Sequence, residues 1–228
     1  YLQFVISKYR NETSTGRIVN FDEKALLDES SIVSLGTGGL GGKGRGLAFI
    51  NTLINNISFG NVLKNIKVRT PRTSFIGTDE FDIFMDKNKL LEVILYERDY
   101  NVIKTHFING ELSYELMKKL RIFLKIVKTP IAIRSSSLFE DSTMQPFSGI
   151  FDTFLLPNNH EDFNIRLNQI ATAIKLVYAS IYSPSARMYF EAVNYKIEEE
   201  KMAVIIQEVA GRQHDDYFYP HVSGTAQS

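Results

Sequence analysis

Apolar residues recur along this chain at helical or strand spacing, and the intervals between those runs hold most of its glycines. Leu47, Ile50, Leu53, Ile54 and Ile57 share helical spacing and predict a helix over 47–57. The short apolar run Ile32 to Leu35 precedes it, and the glycine-rich stretch Leu35 to Gly46 reads as a loop feeding the helix N-terminus. Val68 to Thr78 reads as extended, because Pro71 disfavours helix before it and apolar residues alternate around Phe75. Phe81 to Tyr96 and Leu112 to Val127 read as helices, the second with Leu116, Leu120, Phe123 and Val127 on one face. Ile131 to Ile133 reads as a buried strand with Arg134 and three serines at its end, followed by a polar loop from Leu138 to Gly149. Asp152 to Leu156 reads as another strand. Asp162 to Tyr182 has the clearest amphipathic pattern, with Ile165, Ile170, Ile174, Val177 and Ile181 on one face. Ser185 to Val193 reads as a second helix after Pro184, Met202 to Val209 as an apolar strand, and Gly211 to Pro220 as a polar loop. Strands alternating with helices predict an α/β fold. Tyr1 to Ser30 has no clear period and reads as a lead-in or linker, leaving 31–228 as the folded domain.

Composition narrows the function classes. The chain has 228 residues, 44% of them hydrophobic, enough for a sizeable core. Its 26 basic and 26 acidic residues cancel, so no global field draws it to nucleic acid or to an anionic membrane. Any anionic ligand must be held by a local cluster of donors. The absence of cysteine removes disulfides, thiolate metal sites and cysteine nucleophiles, and fits a reducing, cytoplasmic setting. No apolar stretch approaches the roughly 18 residues of a membrane span. The first residue is Tyr1, so the natural start is expected upstream.

Two segments carry candidate chemistry. The first is LGTGGLGGKGRG, Leu35 to Gly46. Glycines let backbone N–H groups approach an anion, a helix N-terminus adds partial positive charge, and Lys43 adds a full one. The cluster matches G-x-G-x-x-G twice, but Ser58 to Lys67 lacks the acidic residue of a dinucleotide fold. It is not a P-loop either, because Gly44 stands where Ser or Thr is required and Thr37 replaces the first glycine. A flexible glycine turn is the plainer reading. The second segment is IAIRSSS, Ile131 to Ser137. It can present a guanidinium, whose planar fork suits phosphate, beside several hydroxyls; alternatively Arg134 pairs with Glu140 or Asp141 in an ordinary loop. Glu140–Asp141 reads as a solvated loop or a helix cap rather than as an acid/base pair. His106, His160, His214 and His221 read as surface histidines, and His214–Asp215–Asp216 lacks a second ligand cluster for a metal.

The stretch IAIRSSSLFEDSTMQPFSGIFDTFL, Ile131 to Leu155, resembles the hallmark of the N-terminal nucleotide-binding domain of the pyruvate phosphate dikinase and phosphoenolpyruvate synthase family. The elements that match are Arg134–Ser135–Ser136, Glu140–Asp141, Phe147–Ser148–Gly149 and Asp152–Thr153. Gly41–Gly42–Lys43–Gly44 is similar to the family's early glycine loop, AIKLVYASIYSPSARMY to a family helix, and AVIIQEV, Ala203 to Val209, to the strand entering the adenine hinge. The resemblance implies an ATP-grasp-like, two-lobed fold with ATP and Mg²⁺ between the lobes. It implies that Lys43, Gly42, Gly44, Arg134, Ser135 and Ser136 meet the phosphates, with Lys43 and Arg134 catalytic. Asp152 and Thr153 would line the cleft, and Gln207, Glu208 and Val209 the adenine edge. Ile150–Phe151 replaces a polar pair of the synthases, and Arg69-Thr-Pro71-Arg72 a Pro-Pro-Gly-like turn. The chain ends at Ser223-Gly-Thr-Ala-Gln-Ser228, before the family's metal-binding carboxylates, phosphohistidine domain and pyruvate-binding domain. It is therefore expected to be a piece of a dikinase, with those domains as partners and inactive alone. The alternative is a non-catalytic nucleotide-sensing module on the same fold.

Overall fold

The computed structural model describes residues 17–57, 65–137 and 149–225. Its frame is a six-stranded mixed sheet in the order β1-β2-β3-β6-β4-β5. The strands are β1 (Ile18–Asn20), β2 (Ile32–Ser34), β3 (Thr73–Ile76), β4 (Ile131–Ser137), β5 (Thr153–Leu156) and β6 (Met202–Glu208). The first three run parallel, while β6 and β5 lie antiparallel to their neighbours. A central strand covered on both faces must be apolar throughout rather than alternating. The sequence MAVIIQE of β6 obeys this, with Met202 to Gln207 buried.

One face is packed by helices α1 (Glu23–Leu27), α3 (Thr78–Lys87), α4 (Leu90–Tyr96), α5 (Tyr100–Asn109), α6 (Tyr114–Ile126), α7 (Phe163–Ala179) and α8 (Pro184–Ala192). Val33, Ile76, Ile131, Ile133, Val204 and Ile206 point into this core, where Phe81 meets Tyr178 edge-on at 5.1 Å. The opposite face is covered by α2 (Gly41–Asn56) over Ile32, Phe75 and Ile205. Beyond α2 no described helix covers that face, and Leu155 of β5 is 70% exposed.

Several expectations change in the folded chain. The glycine stretch does not all precede the helix: α2 begins at Gly41, so Lys43 stands in its first turn. Ile50, Leu53 and Ile57 are 45–48% exposed, whereas Gly41, Gly44 and Asn51 are buried. Small residues at i, i+3 and i+10 let the helix lie close to the sheet; this leaves Ile50, Leu53 and Ile57 outside, while Leu47 of the expected face packs against the sheet. The glycine turn is also not loose. Thr37 Oγ1 donates to Asp79 Oδ2 at 2.8 Å, and Gly39 and Thr78 exchange bonds that tie the turn to the start of α3.

The helix expected over Phe81 to Tyr96 is two, α3 and α4, broken at Lys89, which is left-handed with φ 52°. The polar loop expected over Gly211 to Pro220 is a hairpin of β7 (Arg212–His214) and β8 (Tyr217–Tyr219), turning at Asp215 with φ 51°. Ile18–Asn20 and Glu23–Leu27 lie within the stretch read as a lead-in, and β1 extends the sheet beside β2. Strand β4 runs on to Ser137, so Arg134 sits inside it rather than at its end. Asp162 caps α7, and Ile170, Ile174, Val177 and Ile181 are buried, but Ile165 is 41% exposed. Five residues before Ile170 is the wrong spacing for that face.

Candidate functional site

The candidate chemistry gathers where α2 meets β4 and β6. In β4 alternate residues share a face, and the ladder places Arg134 opposite both Thr153 of β5 and Ile205 of β6. Gln207 lies two residues beyond Ile205 and so shares that face. Arg134 Nη1 donates to Gln207 Oε1 at 2.8 Å, Gln207 Nε2 donates to Thr73 Oγ1 at 3.1 Å, and Thr73 Oγ1 donates to the Pro71 carbonyl at 2.9 Å. Arg134 is half-buried, and among the described residues its partner is a neutral amide rather than a carboxylate. Glu140 and Asp141, offered above as its ion-pair partners, lie outside the described residues, as do Phe147 and Ser148.

Lys43 arrives from the first turn of α2, with Nζ 3.4 Å from Ser135 Oγ, which by strand alternation lies on the face of β4 opposite Arg134. Ser136 holds this arrangement. Its hydroxyl donates to the Leu40 carbonyl at 2.7 Å and accepts from Gly44 N–H at 3.0 Å, clamping the helix N-terminus to the strand. Gly41 makes the approach possible: its φ is +66°, and a Cβ there would lie 2.2 Å from the Ser136 carbonyl oxygen. Leu40, at the N-cap, has no side-chain acceptor, so this helix start lacks the usual Ser/Thr/Asp cap. An uncapped first turn suits an anion.

Of the residues expected at the site, Lys43, Gly42, Gly44, Arg134, Ser135, Ser136, Thr153 and Gln207 come from the α2–β4–β6 junction or the strand beside it. Ser136 and the Gly44 amide are engaged with each other. Asp152 stands apart: its electrostatic neighbours are Tyr100 and Lys104 of α5, in the helical layer. Burial and the Asp152 carboxylate push the Tyr100 phenol up to about 12. Glu208 points away from Arg134 by strand alternation and lies 3.7 Å from Arg69 Nη1. The amides of Glu208 and Val209 donate to the Arg72 and Pro130 carbonyls, both at 2.9 Å. Val209 lines a cleft of about 480 Å³ with Pro130, Leu155 and Phe218, and another of about 240 Å³ with Pro71 and Glu208. A larger cleft, about 650 Å³, lies away from these residues between α6 and α7. Ile150 and Phe151 pack into the core, with Phe151 6.3 Å from Phe190. The sequence pattern missed Thr73. Its signal was slight: with Ser74 it is one of two polar residues at the start of a strand that ends in Phe75 and Ile76.

Among the described residues no group of three or more His, Asp or Glu side chains could hold a metal ion. No described helix is long and apolar enough to cross a membrane.

A mixed α/β sheet thus carries Lys43 at a glycine-built helix start and Arg134, which pairs with no carboxylate among the described residues. Residues 38–228 match the family described as pyruvate phosphate dikinase, AMP/ATP-binding domain, and the chain belongs to that family, with its ATP-grasp-like nucleotide-binding fold. The chain is 28% identical over 152 residues to an uncharacterised phosphotransferase, YvkC, of Bacillus subtilis, covering 64% of this chain and 17% of that protein. It is 23% identical over 121 residues to the phosphoenolpyruvate synthase of Aeropyrum pernix, covering 50% of this chain and 14% of that protein. The chain thus spans less than a fifth of the length of either relative.

Proposed function

We propose that this chain is the ATP-binding part of a phosphotransferase of the phosphoenolpyruvate synthase type. In this reading ATP donates a phosphoryl group to a mobile histidine of a downstream domain, and phosphoenolpyruvate is made or used at a further domain. The observation that carries it is Arg134, a half-buried cation whose described partner is a neutral amide. A buried charge without a counter-charge is costly, and a polyphosphate supplies one. Lys43, at a glycine-built helix start, reaches Ser135 of the same strand and adds a second cation to β4. Phosphoryl transfer depends mainly on such positioning and charge neutralisation. Thr153, beside Arg134, lines the same open face, and Val209 with Leu155 offers an apolar wall for adenine. The position of Asp152 beside α5 does not favour it as a cleft residue. Mg²⁺ would accompany the phosphates; the described residues offer it no carboxylate set, and no step is assigned to it.

Isothermal titration of Mg-ATP tests the reading. Arg134→Ala removes charge-assisted bonds and should weaken binding about 10- to 100-fold. Unchanged affinity would end the assignment.

A further inference from the structure

Hydrogen-bond direction along the chain Arg134–Gln207–Thr73–Pro71 is fixed from its far end. The Pro71 carbonyl can only accept, so the single hydroxyl proton of Thr73 is committed to it, at 2.9 Å. Thr73 Oγ1 is left as an acceptor, and only the NH₂ end of the Gln207 side chain can satisfy it, as observed at 3.1 Å. The amide oxygen is thereby turned toward Arg134, which can only donate, and receives Nη1 at 2.8 Å. A flipped amide would set two donors against each other at both ends. Thr73 is 2% exposed and Gln207 9%, so water has little room to take over either role. The two residues face each other directly across β3 and β6, and the ladder rather than a mobile loop sets their spacing.

We infer that Thr73 is a positioning residue: through the Gln207 amide it holds the Arg134 guanidinium in the orientation that receives the nucleotide phosphates. The inference rests on the reading that Arg134 binds phosphate. Thr73 itself touches no ligand. Its hydroxyl acts at two removes, by deciding which end of an amide faces the cation.

The test compares ATP with adenosine, which has no phosphate, on the purified chain by calorimetry. Thr73→Val keeps the shape and removes the hydroxyl. It should weaken ATP binding about 5- to 10-fold, the effect of one lost oriented hydrogen bond, and leave adenosine binding unchanged. Thr73→Ser restores the hydroxyl and should return ATP affinity to within about twofold of the parent. An equal loss for both ligands would mean general damage and would overturn the inference, as would a Ser variant as weak as the Val variant. If Thr73→Val does not fold, Gln207→Leu reads the same link, and full ATP affinity in that variant overturns it. Failure of the two ideas is distinguishable. Intact ATP binding in Thr73→Val with loss in Arg134→Ala refutes the positioning role alone, whereas intact binding in Arg134→Ala refutes the phosphate reading beneath it.

Discussion

Two glycines five residues apart in α2 should respond to alanine with opposite sign. Gly41 begins the helix at φ +66°, a region that costs an alanine about 1–2 kcal/mol. Its Cβ would also fall 2.2 Å from the backbone oxygen of Ser136, which no side-chain rotation relieves. The helix start must lift from β4, breaking Gly44 N–H to Ser136 Oγ and Ser136 Oγ to the Leu40 carbonyl. At about 1 kcal/mol for each bond, the total for Gly41→Ala is about 3–4 kcal/mol. Gly46 lies in the same helix, and a Cβ there meets nothing within 4 Å. Gly46→Ala should therefore stabilise by about 0.5–1 kcal/mol, because glycine loses more backbone freedom on folding. Urea unfolding followed by far-UV circular dichroism measures both variants. A loss below about 1 kcal/mol for Gly41→Ala would refute the close contact between α2 and β4, and destabilisation by Gly46→Ala would refute the open setting of that turn. Nucleotide binding should fall in the first variant and hold in the second, because only the first moves Lys43.

Buried Arg166 donates to Asn158 Oδ1 at 2.9 Å and to the Leu124 and Val127 carbonyls at the end of α6; Arg166→Ala removes all three bonds, leaving Val127 only its bond from Asn158 Nδ2, and should cost about 2–4 kcal/mol in urea unfolding. Ile170→Ala, at a fully buried position, should cost about 2–5 kcal/mol, and Ile165→Ala, on the exposed side of the same helix, less than about 1 kcal/mol. Equal costs would place α7 in a different rotation. Tyr178 is fully buried, its hydroxyl finds no hydrogen-bond partner among the described residues, and burial reinforced by Glu80 and Asp82 raises its phenol far above 10.0. A raised folded-state value means that the associated stability is complete below the unfolded-state value near 10.0 and is lost as pH rises beyond it. Tyr178→Phe should thus leave the melting temperature at pH 7 unchanged or higher and shift alkaline unfolding to higher pH. A lower midpoint in alkaline titration would show that the hydroxyl is satisfied after all.

The amino-acid order alone determined that this is an α/β chain with a glycine-rich segment at a helix start and an arginine strand, because those features are local. Apolar periodicity marks α6 and most of α7, a run of apolar residues marks β6, and the family pattern around Arg134 survives as contiguous text. Helix α2 shows where locality fails. Its apolar residues predicted an inward face, yet the sheet takes Leu47 together with Gly41, Gly44 and Asn51 and leaves Ile50, Leu53 and Ile57 outside, because small residues at the helix start allow the close approach that the Ser136 clamp requires. Asp152 and Thr153 are neighbours in sequence, but Thr153 pairs with Arg134 across the ladder while Asp152 turns to Tyr100 and Lys104 of α5. Thr73 and Gln207 are separated by 134 positions and meet only because β6 inserts between β3 and β4. Strand order sets which distant residues share a face, and spacing along the chain carries no record of it. The types of residue at the site were therefore legible in the sequence, while their partners were decided by the sheet.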